Sequence, residues 1–208
     1  MSFDAITDKV GRYYSGRLRE HGSTARGVDW NSEESQVLRF AQLAKLLPPA
    51  GAYSVVDYGC GYGALVAFLE RQGNGGGFEY LGFDISKDMV EQARRDHQGA
   101  NRRFTNAKDE LKPADFALAS GIFNVMLDSA VEDWTAYVMH TLEQLDRLGT
   151  RGFAFNMLTS YSDADRMRAD LYYGDPREFF DHCKRTFSKQ VALLHDYGLY
   201  EFTILVRK

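Results

Sequence analysis

The feature of this sequence that most constrains the fold is an apolar run ending in a carboxylate and three closely spaced glycines. It reads Val55-Val56-Asp57-Tyr58-Gly59-Cys60-Gly61-Tyr62-Gly63. Glycines are needed where a backbone turns tightly and lies against a ligand, because a Cβ atom would clash there. A helix predicted directly after the turn would point its first amides at the same place. Since ligands of parallel sheets bind beyond the carboxyl ends of the strands, the pattern predicts a strand, a ligand-binding turn and a helix.

Strand-like and helix-like segments alternate along most of the chain. Strands are predicted at residues 54–59, 80–85, 103–106, 115–121 and 152–158, with amphipathic helices among them. Residues 190–196 and 200–207 predict two further strands, which are separated by a short gap around Tyr197-Gly198. The predicted fold class is therefore α/β, a three-layer sandwich whose sheet has about seven strands, mostly parallel, with a C-terminal antiparallel hairpin.

Helix starts carry their own signals. Asn31 or Ser32 can cap a helix that Pro48-Pro49 would end, and Ser86 can cap another. Asp175 offers a cap followed by a proline and, three residues after the cap, a glutamate. Residues 7–21 predict a mobile N-terminal helix, and the glycine-rich residues 73–77 predict a surface loop.

We interpret the chain, residues 1–208, as a single domain with two appended segments. Residues 1–31 form an N-terminal cap segment. Residues 159–174 are long for a plain connection and rich in charge, which indicates a lid loop.

The glycine turn permits two nucleotide interpretations. The dinucleotide fingerprint G-x-G-x-x-G would place its last glycine at Ala64, where alanine is sometimes allowed. The spacing alone therefore leaves a nicotinamide cofactor open.

Three segments together resemble the class I S-adenosylmethionine-dependent methyltransferases, which have a Rossmann-like fold. The D-x-G-x-G-x-G turn resembles the first motif of that family. Gly82-Phe83-Asp84-Ile85-Ser86 is similar to its second motif, and residues 115–124 resemble its fourth strand. The resemblance covers residues 54–158, and the final hairpin agrees with the family's sheet.

The resemblance implies S-adenosylmethionine as the cofactor. In the family, the residue at Asp57 reaches the methionine amino group, directly or through water, and the residue at Asp84 accepts hydrogen bonds from the ribose hydroxyls. Where the family often has an acidic residue for the adenine amino group, this sequence has Asn106-Ala107-Lys108-Asp109. Cys60 is interpreted as a small residue that fits the turn. The implied cofactor-binding residues are Asp57, Gly59, Cys60, Gly61, Gly63, Asp84, Ile85, Ala107, Lys108, Ser120 and Gly121.

Substrate contacts are expected from the two appended segments and from the end of the fourth strand. Aromatic faces suit a cationic sulfonium and can line a pocket. The candidates are Tyr13, Tyr14, Arg17, Trp30, Phe123, Tyr161 and Tyr172. No catalytic residue is assigned, because transfer from an activated methyl donor depends mainly on holding the reactants in line and keeping water out. We expect residues 13–30 and 161–173 to flank one pocket above residues 120–123.

Composition limits the partners. The formal net charge is −4, whereas proteins that follow a nucleic-acid backbone usually carry a basic surplus. Ser120-Gly121-Ile122-Phe123 also differs from the Asp/Asn-Pro-Pro-Tyr/Phe segment of amino-methylating nucleic-acid enzymes. Apolar runs are too short for a membrane span, and the two cysteines form no metal-type pair, so we expect no membrane, no nucleic acid, no metal and a cytoplasmic location.

These features predict a methyltransferase that acts on a small organic molecule by direct in-line transfer. Two alternatives remain at this stage. One is a nicotinamide-dependent oxidoreductase, and the other is a protein that binds the cofactor without transferase activity.

Overall fold

Strands and helices alternate through residues 2–73 and 77–208, the part of the chain that a computed structural model describes. Residues 74–76 of the predicted glycine-rich surface loop lie outside the described residues. The strands are β1 (Tyr53–Tyr58), β2 (Phe78–Phe83), β3 (Arg102–Thr105), β4 (Ala114–Ala119), β5 (Gly149–Leu158), β6 (Gln190–Leu194) and β7 (Glu201–Arg207). The helices are α1 (Phe3–His21), α2 (Glu33–Ala44), α3 (Ala64–Gln72), α4 (Lys87–Asp96), α5 (Val131–Leu148) and α6 (Pro176–Thr186). Short 3-10 turns occupy Ala25–Val28, Lys108–Glu110 and Ala164–Arg166.

The strands of this description form one sheet in the order β3-β2-β1-β4-β5-β7-β6. Strands β1 to β5 are parallel to one another, and β7 lies antiparallel between β5 and β6. The predicted α/β class, the mostly parallel sheet and the C-terminal antiparallel hairpin are confirmed. The chain passes from β1 to β2 on one side and later returns to β4 on the other, which opens a crevice at the carboxyl end of β1.

Both faces of the sheet are covered by helices, which makes three layers. Successive residues of β1 alternate between the two faces: Val55 packs with α2, α3 and α4, and Val56 packs with α1, α5 and α6. Apolar side chains on both faces explain why β1 and β4 have no polar stripe. No helix within residues 2–73 and 77–208 combines the length and apolar character that crossing a membrane requires.

The predicted helix caps are confirmed. The Ser32 and Ser86 hydroxyls each accept a 3.2 Å hydrogen bond from a backbone amide in the first turn of α2 and α4. Asp175 accepts one of 2.8 Å from the Arg177 amide, and Pro176 takes the first position of α6. These residues predict the helix starts correctly because each cap accepts a hydrogen bond from a backbone amide that has no partner within the helix.

Two helix ends differ from expectation. Helix α1 begins at Phe3 with Ser2 as its cap, four residues earlier than predicted, and it is not a loosely attached helix. Its Ile6 is 1% exposed and packs in the core beside Phe83, so burial of one apolar face holds it on the sheet. Helix α2 ends at Ala44, before the two prolines that were expected to stop it, and a short turn connects them.

Candidate active site

A cavity opens at the crevice between the ends of β1, β2 and β4. We call it the central cavity. Most of the predicted cofactor-binding residues lie in its wall. The wall includes Asp57, Gly59, Cys60, Gly61, Asp84, Ile85, Ser120 and Gly121, with Tyr14, Val28, Trp30, Ile122 and Tyr137 around them.

The glycine turn is held tightly against the next strand. The amides of Gly59 and Cys60 both donate to the Phe83 carbonyl, at 2.7 and 2.9 Å. Gly59, Gly61 and Gly63 have φ angles of 87°, 54° and 90°, which side chains rarely adopt. The turn therefore needs glycine for its backbone conformation, and its open face is directed at the cavity.

Asp84, at the end of β2, anchors this turn from the other side. Its two carboxylate oxygens accept hydrogen bonds of 2.8 Å, one from the Gly61 amide and one from the Ser86 amide. Burial raises the pKa of Asp84 to about 6, although the two amides pull in the opposite direction. Each carboxylate oxygen can accept a second hydrogen bond, so Asp84 can hold the turn and also bind hydroxyl groups of a ligand.

Asp57 lies deeper, at the end of β1, and is 2% exposed. Its Oδ2 accepts a 2.5 Å hydrogen bond from the Tyr80 hydroxyl. Burial raises the pKa of Asp57 to about 7, with the Tyr80 bond lowering it and the Asp84 charge raising it further. Two carboxylates in one buried cavity favour a ligand that brings hydroxyl groups and a positive charge.

An aromatic cover closes the cavity on the side of the N-terminal segment. Trp30 lies over Gly121, and its ring fills the space that a Cβ atom would need. Gly121 has a φ of 72°, so glycine is required there for two reasons. Val28 approaches Gly61 and Ile122 approaches Gly59 in the same way. The binding turn is thus lined by apolar groups that could exclude water from a bound ligand.

A second cavity, which we call the outer cavity, adjoins the first. It shares Tyr14, Val28, Trp30 and Gly121 with the central cavity. Its far wall comes from the predicted lid loop and from the start of β7, with Ser162, Arg166, Arg168, Leu171, Tyr173 and Glu201. Residues of the two appended segments therefore lie in the wall of one cavity beside Gly121, and Ser120, Ile122 and Phe123 are outside that wall.

Two predicted substrate residues support the cover without lining the cavities. The Tyr13 hydroxyl donates to Asp29 at 3.0 Å, and Arg17 lies 3.2 Å from the other oxygen of Asp29. Asp29 itself lines the outer cavity and has a left-handed backbone with a φ of 62°. Tyr13 and Arg17 therefore fix the turn that carries Val28 and Trp30.

Six other predicted residues lie away from both cavities. Phe123 is fully buried in the core, and its carbonyl accepts from the Trp134 indole. Tyr172 is buried beside Thr135, whereas Tyr161 is 58% exposed near His195. The remaining three residues are Gly63, Ala107 and Lys108. Gly63 lies against the His97 ring, and Lys108 lines a separate cleft beside α1. Ile122 and Tyr173 occupy the cavity walls where the predictions had placed Phe123, Tyr161 and Tyr172.

Sequence reasoning missed a buried polar cluster between α2 and β7. Arg39 binds Glu201 through two hydrogen bonds, from Nε at 2.7 Å and from Nη2 at 2.8 Å. Asn124 reaches the same carboxylate at 3.4 Å. No local signal in the sequence marks this pair, because Arg39 and Glu201 are 162 positions apart. Among the described residues, no group of three or more histidine, cysteine or acidic side chains could hold a metal ion.

A known family and a known protein are similar to this chain in sequence. A family model described as a methyltransferase domain matches residues 18–200. The Mycobacterium tuberculosis protein Rv1506c, named as a methyltransferase, is 52% identical over 165 residues, which are 79% of this chain and 98% of that protein.

Solved structures share the fold at low sequence identity. The magnesium protoporphyrin IX methyltransferase of Synechocystis PCC 6803 with bound S-adenosylmethionine is 19% identical, with a TM-score of 0.55 over 84% of this chain and 80% of that one. Human N-acetylserotonin methyltransferase is 16% identical, with a TM-score of 0.66 over 100% of this chain and 60% of that one. The chain belongs to the methyltransferase domain family, and its fold is that of the class I, S-adenosylmethionine-dependent members.

Proposed function

We propose that this chain transfers the methyl group of S-adenosylmethionine to a small organic molecule. The cofactor would occupy the central cavity and the acceptor the outer cavity. The observation that carries the proposal is the convergence of Asp57, Asp84 and the glycine turn on one buried cavity whose aromatic wall leads into a second. The family match favours this function over the nicotinamide-dependent oxidoreductase.

The residues of the central cavity suit this cofactor. Asp84 has free acceptor positions for the two ribose hydroxyls, and charge-assisted hydrogen bonds of this kind are strong. Asp57 would pair with the α-amino group of the methionine part. This ammonium group would be a cationic partner for the buried Asp57 carboxylate. The methionine chain would lie against the backbone of Gly59 and Gly61, and Ile122 and Val28, which approach these glycines, would adjust to admit it.

When bound, the cofactor supplies a methyl carbon already activated by the neighbouring sulfonium. The residues of this chain then have to orient the acceptor and exclude water. Tyr14 and Trp30 line both cavities, so an aromatic ring could lie close to the sulfonium and stabilise its positive charge. Burial raises the pKa of Tyr14 well above its ordinary value, so it acts there as a neutral side chain.

We further propose small-molecule rather than nucleic-acid acceptors and a location in the cytoplasm. The outer cavity is enclosed by the N-terminal segment and the lid loop, which suits a small ligand better than a polymer. Cys60 and Cys183 are both buried and unpaired, and unpaired thiols are common in reducing compartments.

Calorimetric titration of the purified protein with S-adenosylmethionine, S-adenosylhomocysteine and NAD⁺ tests the cofactor. We expect binding of the first two and none of the third. Binding of NAD⁺ alone would overturn the proposal. A radiolabelled methyl donor, incubated with a panel of small molecules, then separates an active transferase from a protein that binds the cofactor without transferring its methyl group.

A further inference from the structure

Arg39 is a fixed and almost fully buried cation, 6% exposed, in the wall of the outer cavity. Glu201, which is 1% exposed, binds its Nε and Nη2 in a two-point pair. The guanidinium carbon lies 3.9 Å from the centre of the Trp30 ring, so the indole stacks on its flat face. Position and orientation of the guanidinium are therefore set before any ligand arrives.

One edge of this guanidinium has no hydrogen-bond partner. A guanidinium carries five N–H groups, and Glu201 uses one on Nε and one on Nη2. Nη1 is buried and makes no hydrogen bond within the structure. The edge formed by Nη1 and the second N–H of Nη2 is thus a free two-point donor. Leaving a buried charged donor unsatisfied is unfavourable, which makes this edge a candidate for ligand recognition.

The wall of the outer cavity contains both arginines and acids. The arginines are Arg39, Arg166 and Arg168, and the acids are Asp29 and Glu201. Both acids are already bound, Glu201 by Arg39 and Asp29 by Tyr13 and Arg17. With the side chains that pair with them, Arg17, Asp163 and Asp170, the arginines and the acids balance at four each. An anionic ligand is therefore favoured by the unused donors of Arg39 and not by a surplus of positive charge.

The two lid-loop arginines can turn towards a ligand. Arg166 pairs with Asp163 at 3.9 Å, and Arg168 pairs with Asp170. The arginines are 67% and 56% exposed, and pairs as exposed as these contribute little to stability. Replacing Asp163 or Asp170 by a ligand therefore costs little free energy. Breaking the buried pair of Arg39 and Glu201 would cost more.

We infer that the acceptor is a small molecule with a carboxylate, which binds the free edge of Arg39 in the outer cavity. A carboxylate is planar and matches a guanidinium edge with two parallel hydrogen bonds. A doubly charged phosphate would bring a second negative charge close to Glu201, which binds the same guanidinium. The inference rests on the proposed function, since it names the class of acceptor. Because Nη1 is buried, binding at this edge requires neighbouring side chains of the outer cavity to move aside.

A ligand-observed NMR screen can test this inference directly. The probes are aromatic and aliphatic monocarboxylates, with their methyl esters, amides and aryl phosphates as matched comparisons. The protein is saturated with S-adenosylhomocysteine, whose own binding is measured by calorimetry. We expect carboxylates to bind in preference to the neutral analogues and the phosphates.

Variants locate the binding site. Arg39→Lys keeps the charge and loses the two-point edge, and should weaken carboxylate binding about tenfold or more. The double variant Arg39→Met with Glu201→Gln removes the pair without leaving a buried charge alone, and should abolish that binding. Arg177→Lys, which alters an exposed pair on α6, is the matched control.

The outcomes separate the two proposals. If S-adenosylhomocysteine does not bind the wild-type protein, the proposed function fails. If S-adenosylhomocysteine binds, any one of three results would overturn the carboxylate inference alone: the carboxylates do not bind the wild-type protein, they bind it no better than their esters do, or their affinity for both Arg39 variants equals that for the wild type. Thermal melting of each variant shows whether it is folded, and S-adenosylhomocysteine affinity provides a second control.

Discussion

The Tyr80 hydroxyl donates a 2.5 Å hydrogen bond to Oδ2 of Asp57, joining the neighbouring strands β2 and β1 beneath the central cavity. Both side chains are almost fully buried, with 2% exposure each. The bond satisfies one carboxylate oxygen and favours the ionised form, but burial has the larger effect and raises the pKa of Asp57 to about 7. This carboxylate is therefore only partly ionised near neutral pH when no cation faces it.

We predict that the ligand-free protein loses stability as the pH rises between about 4 and 7 because of Asp57. In this interval Asp57 is still protonated in the folded protein. In the unfolded protein its pKa is 3.8, so the proton has already been released. Stability falls with pH wherever the folded state binds more protons. Asp84, with a pKa of about 6, adds to the same trend. Denaturant unfolding at several pH values should show a smaller slope for Asp57→Asn than for the wild type or for the exposed Asp88→Asn; equal slopes would contradict the assignment.

The same group predicts the opposite pH dependence for cofactor binding. An ammonium group paired with Asp57 favours the ionised carboxylate, so binding below pH 7 must release a proton. Affinity for S-adenosylmethionine should therefore rise as the pH increases from about 5.5 to 7.5 and then level off. Calorimetry in buffers of different ionisation enthalpy measures the proton released. An affinity that is constant with pH, with no proton release, would place the amino group elsewhere.

Asp84→Ala should weaken S-adenosylmethionine binding by about 1.5–3 kcal/mol, as expected for hydrogen bonds to a charged group. Because Asp84 also binds the amides of Gly61 and Ser86, part of this loss will reflect a looser glycine turn. Adenosine and methionine titrated separately distinguish the two effects: a ribose contact weakens adenosine most. Asp88→Ala, on the exposed side of α4, serves as control. Unchanged affinity in Asp84→Ala would mean that the ribose is held by other residues.

Gly121→Ala should destabilise the fold and displace Trp30. The methyl group would occupy the space of the indole ring, and a φ of 72° is unfavourable for alanine. Overpacking and backbone strain of this kind each cost about 1–3 kcal/mol. Combining it with Trp30→Ala relieves the steric part, so the double variant should be more stable than the sum of the single effects predicts. Strict additivity in denaturant unfolding would show that the two residues do not interact.

Local signals predicted much of the fold. Ser32, Ser86 and Asp175 mark helix starts because a cap depends on residues only a few positions apart. The glycine turn and Asp84 were also readable, since a strand followed by a turn brings them together through the short β1-α3-β2 connection.

Contacts between residues far apart in the sequence could not be predicted in the same way. Arg39 and Glu201 are 162 positions apart, and only the pairing of β7 beside β5 brings them together. The orientation of single side chains was equally hidden. Phe123 and Ile122 are neighbours in sequence, yet one packs into the core and the other faces the cavity, because the turn after β4 sets their directions.

The last prediction concerns the cover formed by residues 13–30 and 161–173. Both segments contribute to the wall of the outer cavity, and the N-terminal one also covers Gly61 and Gly121. A ligand that fills the central cavity would contact Trp30 and Val28 and so restrain this cover. Hydrogen exchange measured with and without S-adenosylhomocysteine should therefore show slower exchange in both segments as well as in the glycine turn. Peptides from α6 are the internal reference, because that helix lies beside β6 and lines neither cavity. Protection confined to residues 59–84 would show that the two segments do not close over the ligand, and the cover would then be a fixed wall.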